Sequence, residues 1–327
     1  MKSLELSSHA LTACAAAALL AGCGGAQPPI SAPGAMPQSR AIASHAGRGG
    51  SWMLPGTSSG ELIYATGGCG GTCVISYPGG TVVGALPTGG ASICSDDAGN
   101  VFIPEDDKVT EYAHGGQSPI TTLNLPGDLA AGCAVDPMTN NLAVVFAGSS
   151  TNVAIFADET GTPTLYQSGI GSYYCGYDNS GDLFVNGLIQ GGYGFAELRN
   201  GSGNFTTFSV DESLGFPGRL QWDGKHITWE GLDSGNVTLS RLAVSGSSVS
   251  VVGTTKLKKI TRHASESWIY NATVLVAYNI VGTRNNVIGI WNYPKGGKPK
   301  QNIKQFGSFK KRMINFQAVT VSVAPSR

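Results

Sequence analysis

Short apolar runs alternate with polar, glycine-containing turns along most of the chain, and the runs have the length of β-strands. Four segments align on a central aspartate, at Asp97, Asp136, Asp178 and Asp223, with spacings of 39, 42 and 45 residues. Each has an apolar strand, a polar turn and a second apolar strand, which predicts a β-hairpin. A hydrogen bond from the aspartate to nearby backbone N–H groups explains these turns. A calcium loop, which needs several oxygen ligands in one loop, is the alternative.

A second series of six hairpins interleaves with the first; CVISYPGGTVVGAL and VTEYAHGGQSPITTL are examples. Two hairpins per repeat give four strands per unit, which is the blade of a β-propeller. Segment 62–65 lacks a preceding first strand and segment 318–323 lacks a following one, so we expect them to pair and close the ring. The sequence therefore predicts an all-β fold, a single six-bladed β-propeller of four-stranded blades. The predicted blades are 62–87 with 318–323, 91–126, 131–168, 173–209, 219–253 and 266–306.

Composition agrees with a globular all-β chain. Among 327 residues there are 47 glycines, only 13% are charged, and the formal net charge is zero. The glycines follow no Gly-X-Y period and fit the many turns. The low charge excludes a disordered chain or one that coats nucleic acid.

The N-terminus has the features of an export signal. Lys2 precedes an apolar run that ends near Ala21 and is too short to span a bilayer, which predicts a signal peptide over residues 1–22. The segment Leu20-Ala21-Gly22-Cys23 resembles the lipobox of bacterial lipoproteins. The resemblance implies that Cys23 carries acyl chains such as palmitate and anchors the exported protein to the cell envelope. If the host has two membranes, we expect the outer one.

Residues 23–50 are rich in Gly, Pro, Ala and Ser without an apolar period. This composition predicts a flexible tether between the lipidated Cys23 and a propeller domain over residues 51–327.

Two segments carry a resemblance to known propellers. CSDDAGNVFIPE and FPGRLQWDGKHI resemble NHL repeats and, more distantly, the gluconolactonase and regucalcin-like six-bladed propellers. In the metal-dependent lactonases of that group, acidic and Asn side chains hold one divalent ion in the channel. Those ligands do not map one to one onto this chain. We therefore expect a binding or scaffolding module for an extracytoplasmic glycan, envelope component or protein, without a cofactor. The alternative is a lactonase-type hydrolase that uses one divalent cation, such as Ca²⁺.

The candidate ligand-binding residues come from the connections between second and third strands, where propellers usually present ligand groups. They form a mixed polar rim, which suits a neutral, hydroxyl-rich or weakly charged ligand; an ordinary solvated loop face is the alternative. They are Glu105, Asp106, Asn186, Tyr193, Glu230, Asp233, Asn279 and Arg284. No segment has a catalytic motif, since Gly56–Gly60 matches G-x-S-x-G without the strand and helix that a nucleophile elbow needs.

The cysteines fall into two groups. Cys69 and Cys73 flank a Gly-Gly-Thr turn in a predicted hairpin, and export permits oxidation, so we expect a disulfide. Cys94, Cys133 and Cys175 take the same place on the innermost strands of three neighbouring blades. We expect these three to be reduced packing residues, with a soft-metal or redox site as the alternative.

The histidines give no zinc motif. His114, His226 and His263 lie on three different predicted blades, without the spacing of paired zinc ligands. We expect His114, in the turn YAHGG, to be solvated.

Charge is distributed unevenly along the chain. From Lys256 to Arg327 there are 13 Lys and Arg residues and one acid, Glu266, a net charge of +12. Such a basic sector attracts anionic surfaces, and Lys310, Lys311 and Arg312 are its most concentrated part; solvated lysines without a partner are the alternative. The expected partners are the membrane, through the lipid, and an anionic envelope polymer or a protein. We expect a monomer and no nucleic-acid ligand.

Overall fold

The computed structural model describes residues 50–126, 129–147, 152–201, 203–210, 214–233, 236–246, 248–260, 264–279, 286–304, 306 and 316–325. The predicted signal peptide, the tether up to residue 49, Cys23, His263, Arg284, Lys310, Lys311 and Arg312 lie outside these residues. Within the described ranges, no helix has the length and apolarity to cross a bilayer.

The described residues form 25 strands in six antiparallel sheets, which confirms the six-bladed propeller. Blade 1 contains β1 (Trp52–Met53), β2 (Leu62–Gly68), β3 (Gly71–Ser76), β4 (Val82–Leu86) and β25 (Val319–Ser322). Blade 2 contains β5 (Cys94–Ser95), β6 (Val101–Pro104), β7 (Lys108–Tyr112) and β8 (Pro119–Asn124). Blade 3 contains β9 (Ala130–Val135), β10 (Leu142–Phe146), β11 (Val153–Phe156) and β12 (Thr164–Tyr166).

Blade 4 contains β13 (Gly171–Tyr177), β14 (Leu183–Ile189), β15 (Gly192–Leu198) and β16 (Thr206–Ser209). Blade 5 contains β17 (Phe216–Trp222), β18 (Ile227–Asp233), β19 (Asn236–Ser245) and β20 (Ser248–Leu257). Blade 6 contains β21 (Ala264–Tyr270), β22 (Thr273–Asn279), β23 (Asn286–Asn292) and β24 (Gln301–Ile303). The helices of the described residues are single 3-10 turns at Thr57–Ser59, Ala157–Glu159 and Arg199–Gly201.

The ring closes through blade 1, as predicted. β25 pairs with β2, with Leu62 opposite Ser322 and Ala65 opposite Val319. The innermost strands β25, β5, β9, β13, β17 and β21 contact one another around the axis. The short β1 adds a fifth strand to the outer edge of blade 1, which the sequence did not predict because two residues carry no period.

Blades are buried on both faces, which explains why their strands are apolar almost throughout. On β10, Val144 packs in the cluster between blades 2 and 3, with Phe102 and Phe156. Its neighbour Val145 packs between blades 3 and 4, with Val185. Since successive side chains of a strand point to opposite faces, the apolar core is divided into layers between neighbouring blades.

The turn aspartates bond to backbone, as expected from turn chemistry. Asp136 accepts from Met138 N at 2.9 Å, and Asp178 accepts from Ser180 N at 2.8 Å. In blade 2 the aligned residue was wrong by one position, because Asp96, not Asp97, accepts from Asn100 N at 2.6 Å. Asp97 is exposed in that turn.

Two disulfides are present among the described residues. Cys69 is bonded to Cys73, the pair for which the sequence predicts a bridge. Cys94 is bonded to Cys133, so the prediction of three reduced repeat cysteines was wrong. β5 and β9 converge on the axis and bring these two Cα atoms to 5.8 Å, within reach of a disulfide. Cys175 is free and buried, and burial raises the pKa of its thiol to about 12.

His114 is buried rather than solvated. Its Nδ1 lies 2.7 Å from Ser322 Oγ and its Nε2 lies 3.0 Å from the Gly60 carbonyl oxygen. Burial lowers the pKa of this imidazole. The turn residue therefore locks blade 2 to the closing strand β25, a contact that the local sequence could not show.

Candidate functional site

Only part of the predicted polar rim lies on the surface. Asp106 is exposed in the β6–β7 turn, and Glu105 beside it is half-buried. Glu105 accepts from Thr110 Oγ1 at 2.9 Å and lies 3.5 Å from Lys108 Nζ. Its carboxylate therefore bonds to residues of its own hairpin.

Asn186 and Glu230 are fully buried inside strands, which corrects their predicted place in rim loops. The glycines that follow them, Gly187 and Gly231, suggest a turn but lie within β14 and β18. A Cβ at Gly187 would lie 1.8 Å from the Gly171 carbonyl oxygen, and one at Gly231 would lie 1.7 Å from that of Leu214. These glycines therefore allow backbone to approach closely rather than to turn.

The remaining rim candidates are spread over several blades. Tyr193 is half-buried near the start of β15. Asp233 and Asn279 end β18 and β22, and their side chains lie outside the described part of the structure. Asn186 and Glu230 both contact Gly218 of β17: Asn186 Nδ2 donates to its carbonyl oxygen at 2.8 Å, and a Cβ there would meet Glu230 Cγ at 2.9 Å. Glu105 and Asp106, on blade 2, belong to the opposite side of the ring from blade 5.

The centre of the channel is occupied by Arg219, a buried side chain that the sequence reasoning missed. Its Nη1 donates to Glu266 Oε2 at 2.5 Å and to the Ile93 carbonyl oxygen at 2.8 Å. Nη2 lies 3.4 Å from the Cys133 carbonyl oxygen, and Cζ lies 4.4 Å from the ring centroid of Trp268. Arg219 therefore connects blades 2, 3, 5 and 6.

Two glutamates complete this channel network, which we define as Arg219, Glu230 and Glu266. Glu230 Oε2 accepts from Arg219 N at 3.2 Å and from both N and Oγ of Ser267 at 2.9 Å. Glu266 Oε2 accepts from Ser92 Oγ at 3.0 Å in addition to Arg219. One oxygen of each carboxylate is thereby saturated by groups of the protein itself.

Burial dominates the electrostatics of the network. Desolvation raises the pKa of Glu230, and the hydrogen bonds from Ser267 and the charge of Arg219 oppose that rise. Desolvation raises the pKa of Glu266 to about 8, again against the opposing charge of Arg219. The pKa of the Tyr174 phenol is raised by its own burial and then by the charges of both glutamates.

β-Bulges position these side chains. The pairing of β17 with β18 shifts between Pro217 and Leu220, and that of β21 with β22 shifts between Ala264 and Ser267. Arg219 and Glu266 lie within these irregular stretches, where a bulge redirects side chains. The available sequence signal was composition: Arg219 is a charge inside an apolar strand, and Glu266 is the one acid of the basic sector.

The channel network has one feature that favours a divalent ion and one that opposes it. Asn186 Oδ1, Glu230 Oε1 and Glu266 Oε1 are buried without a hydrogen-bond partner among the described residues, and oxygens of this kind are calcium ligands. The Arg219 guanidinium, however, already supplies the cation that Glu266 faces. Among the described residues, no three His, Cys, Asp or Glu side chains are placed to hold a metal ion together.

Comparison with known proteins supports the fold. No protein-family model matches the sequence, and no curated protein matches it. A chain in the crystal structure of a nidogen/laminin complex is similar, with a TM-score of 0.59 and 11% identity, over 82% of this chain and 100% of that chain. A chain of hydrazine synthase from Kuenenia stuttgartiensis gives 0.48 and 13%, over 62% of this chain and 63% of that chain. At 11% identity the first similarity shows the fold alone, a β-propeller.

Proposed function

We propose that the protein is a binding or scaffolding module for an extracytoplasmic ligand: a glycan, an envelope component or a protein. The observation that carries this proposal is the channel network, in which Arg219, Glu230 and Glu266 bond to one another and to backbone. A general acid or base must reach the proton that it transfers. Glu230 and Glu266 are instead buried and held by the protein's own donors.

The fold is compatible with this role. The similar chain in the nidogen/laminin complex belongs to a structure of a protein assembly, so a propeller of this shape occurs there in a binding context. Because function resides in sites rather than in folds, the fold makes the proposal admissible but does not identify the ligand.

We place the protein outside the cytoplasm, anchored through an acylated Cys23. The two disulfides support an oxidising compartment, since such bonds persist in exported proteins and are rare in the cytosol. Incorporation of labelled palmitate into the wild-type chain, and its loss in Cys23→Ser, test the anchor. A wild-type chain that never takes up the label contradicts it.

A metal-dependent lactonase-type hydrolase is the second candidate. Three unpartnered buried oxygens, on Asn186, Glu230 and Glu266, favour it. The positive charge of Arg219 beside Glu266 is against it, because a divalent ion there would face a fixed cation.

The two candidates are separated by assaying the purified chain for bound metal and for hydrolysis of a panel of lactones. A binding module contains no stoichiometric divalent metal and hydrolyses no lactone faster than buffer does. Lactone hydrolysis that Glu230→Gln abolishes, while the variant still folds, would replace the binding module by the hydrolase. Asp106→Asn, which removes an exposed carboxylate of the rim, is the matched control.

A further inference from the structure

An exposed apolar cluster lies where blades 4 and 5 meet. Among the large apolar side chains, Leu188 is 38% exposed and Phe216 is 44% exposed, and half-buried Tyr173 and Tyr193 accompany them. We call these four residues the mouth cluster. Adjacent exposed apolar side chains are a common mark of a binding surface.

The rings of the mouth cluster are supported from below. The Tyr173 and Phe216 centroids are 5.6 Å apart with planes at 39°, and Tyr193 meets Phe216 edge-on at 6.4 Å and 84°. Tyr193 also lies 6.2 Å from Trp229, which is fully buried. Phe216 is therefore held between two tyrosines above a rigid base.

Strand topology places the cluster at one mouth of the channel. Phe216 begins the innermost strand β17, and Tyr173 lies at the register shift near the start of β13. Leu188 and Tyr193 are opposite each other at the connected ends of β14 and β15. In an antiparallel blade the start of the first strand and the end of the second lie at the same edge, so all four residues share one face.

The side chains of the mouth cluster suit a neutral ligand, although Asp233 follows Leu232, the residue opposite Phe216. None of its four side chains is charged, and Gln190 in the adjoining turn is exposed and carries an amide. Neither tyrosine hydroxyl has a hydrogen-bond partner among the described residues, and both side chains make ring contacts. The cluster thus offers ring faces beside donors and acceptors.

A sugar ring matches this combination better than a peptide does. A pyranose with equatorial substituents has an apolar C–H face for stacking and hydroxyls along its edge for the tyrosines and Gln190. An added peptide strand needs an unpaired sheet edge. β14 and β15, which carry Leu188 and Tyr193, are paired on both sides.

We propose that the mouth cluster is a stacking platform for a neutral glycan of equatorially linked pyranoses. This proposal rests on the proposed function, binding of an extracytoplasmic ligand, and names both the ligand class and its site. Tyr173 and Phe216 stack on neighbouring sugar units, while Tyr193 fixes the position of Phe216 and Leu188 lies opposite Tyr193.

Calorimetric titration of the intact chain with cellohexaose and with chitohexaose tests the platform. We expect saturable binding of at least one of them. Phe216→Ala and Tyr173→Ala should each weaken it by about tenfold, equivalent to about 1.4 kcal/mol. Phe216→Tyr should retain affinity because the ring remains. Leu165→Ala is the matched control, since Leu165 is 45% exposed but lies on the outermost strand of blade 3.

Three other results would contradict the proposed stacking platform, and each would do so differently. Equal affinity in wild type and in both alanine variants places the glycan elsewhere and leaves the binding module intact. If neither oligosaccharide binds, the cluster is not a glycan site. If decaproline then binds and Phe216→Ala weakens that binding, the cluster is a peptide site. If Phe216→Ala does not fold, Phe216→Leu keeps the apolar volume without the ring, and unchanged affinity in that variant removes the stacking role.

Discussion

Arg219 is one cation shared among four blades, and its surroundings explain how it can be buried. Removing a charge from water costs several kcal/mol, which only good ionic and hydrogen-bond geometry offsets. Arg219 has a carboxylate at 2.5 Å, a carbonyl oxygen at 2.8 Å and the Trp268 ring at 4.4 Å. Its Nε has no partner among the described residues, so the compensation is incomplete.

Removing this cation should be among the most damaging single substitutions. Above about pH 8, where Glu266 is ionised, Arg219→Leu leaves its carboxylate buried without a counter-charge, and we expect a loss of about 3–5 kcal/mol in the free energy of unfolding. Denaturant unfolding of the two proteins measures it. Lys108→Ala, which breaks the half-exposed pair with Glu105, is the control and should cost about 1 kcal/mol or less. Arg219→Leu combined with Glu266→Leu should recover part of the loss. A cost near that of the control would show that the network is not stabilising.

Glu266 should make stability depend on pH. Its folded-state pKa of about 8 lies above the ordinary glutamate value, so the folded state binds the proton more tightly than the unfolded state does. The free energy of unfolding should therefore fall as pH rises from about 5 to about 8. In Glu266→Gln this fall should be smaller, as measured by denaturant unfolding at several pH values, whereas Asp106→Asn should follow the wild type. A variant with the wild-type slope would mean that other buried acids cause it.

At the residue scale the sequence could predict local chemistry but not distant partners. The turn role of Asp136, Asp178 and Asp223 follows from a bond that spans two to four residues. The network of Arg219 depends on contacts with residues 47 and 126 positions away, which no local pattern contains. Tyr193, predicted as a rim residue, contacts Phe216 edge-on, and its role in ligand binding stays a prediction.

At the scale of elements, the innermost strands are where sequence reasoning was most incomplete. Their hairpins and order followed from the repeat, and the paired ends β2 and β25 followed from the missing partner at each terminus. The approach of β5 to β9 did not follow, because equal positions in a repeat do not state the distance between blades. The Cys94–Cys133 bond is the result.

The two disulfides should differ in their effect on stability. Cys94 and Cys133 are 39 positions apart in the sequence and cross from blade 2 to blade 3, whereas Cys69 and Cys73 are 4 apart in one blade. Loop-closure entropy gives about 4 kcal/mol for the first and about 2 kcal/mol for the second. Paired alanine variants of each bridge, compared by denaturant unfolding, should show this order; the reverse order would indicate that native contacts dominate.

The same bridges set the number of thiols. Peptide mapping of denatured, unreduced protein should find one free thiol between residues 51 and 327, at Cys175. In the folded protein Cys175 should react poorly with thiol reagents, because burial disfavours the thiolate that reacts. Three free thiols in that range would contradict the Cys94–Cys133 bond.

At the scale of the whole molecule, charge and architecture coincide at the junction of blades 5 and 6. Gly297 N donates to the Lys256 carbonyl oxygen at 2.9 Å, and Lys258 N donates to that of Gly297 at 2.8 Å. These bonds bring the end of β20 beside the connection between β23 and β24. The resulting lysine patch consists of exposed Lys256, Lys258, Lys259, Lys295, Lys298 and Lys300. Glu266, the one acid of the basic sector, is buried against Arg219, so it does not neutralise the lysine patch.

If the basic sector docks on anionic surfaces, as its net charge predicts, the lysine patch should contribute to that affinity. Exposed charges act at long range only when salt is low, since the screening length falls from about 30 Å at about 0.01 M to about 8 Å at about 0.15 M. In a Cys23→Ser background, which removes the lipid, retention on phosphatidylglycerol vesicles should fall steeply between these two ionic strengths.

Lys256→Gln with Lys298→Gln should weaken retention at low salt, while Lys108→Gln with Lys225→Gln, an equal loss of charge elsewhere, should not. Lys256→Gln with Lys298→Gln should keep the wild-type stability within about 0.5 kcal/mol per substitution, because these side chains are exposed. Lys108→Gln also breaks the pair with Glu105 and should cost about 1 kcal/mol or less. Equal retention of the two double variants would assign the attraction to net charge or to Lys310, Lys311 and Arg312 rather than to the patch. Retention that ignores salt in the parent protein would mean that the lysines only solvate this face.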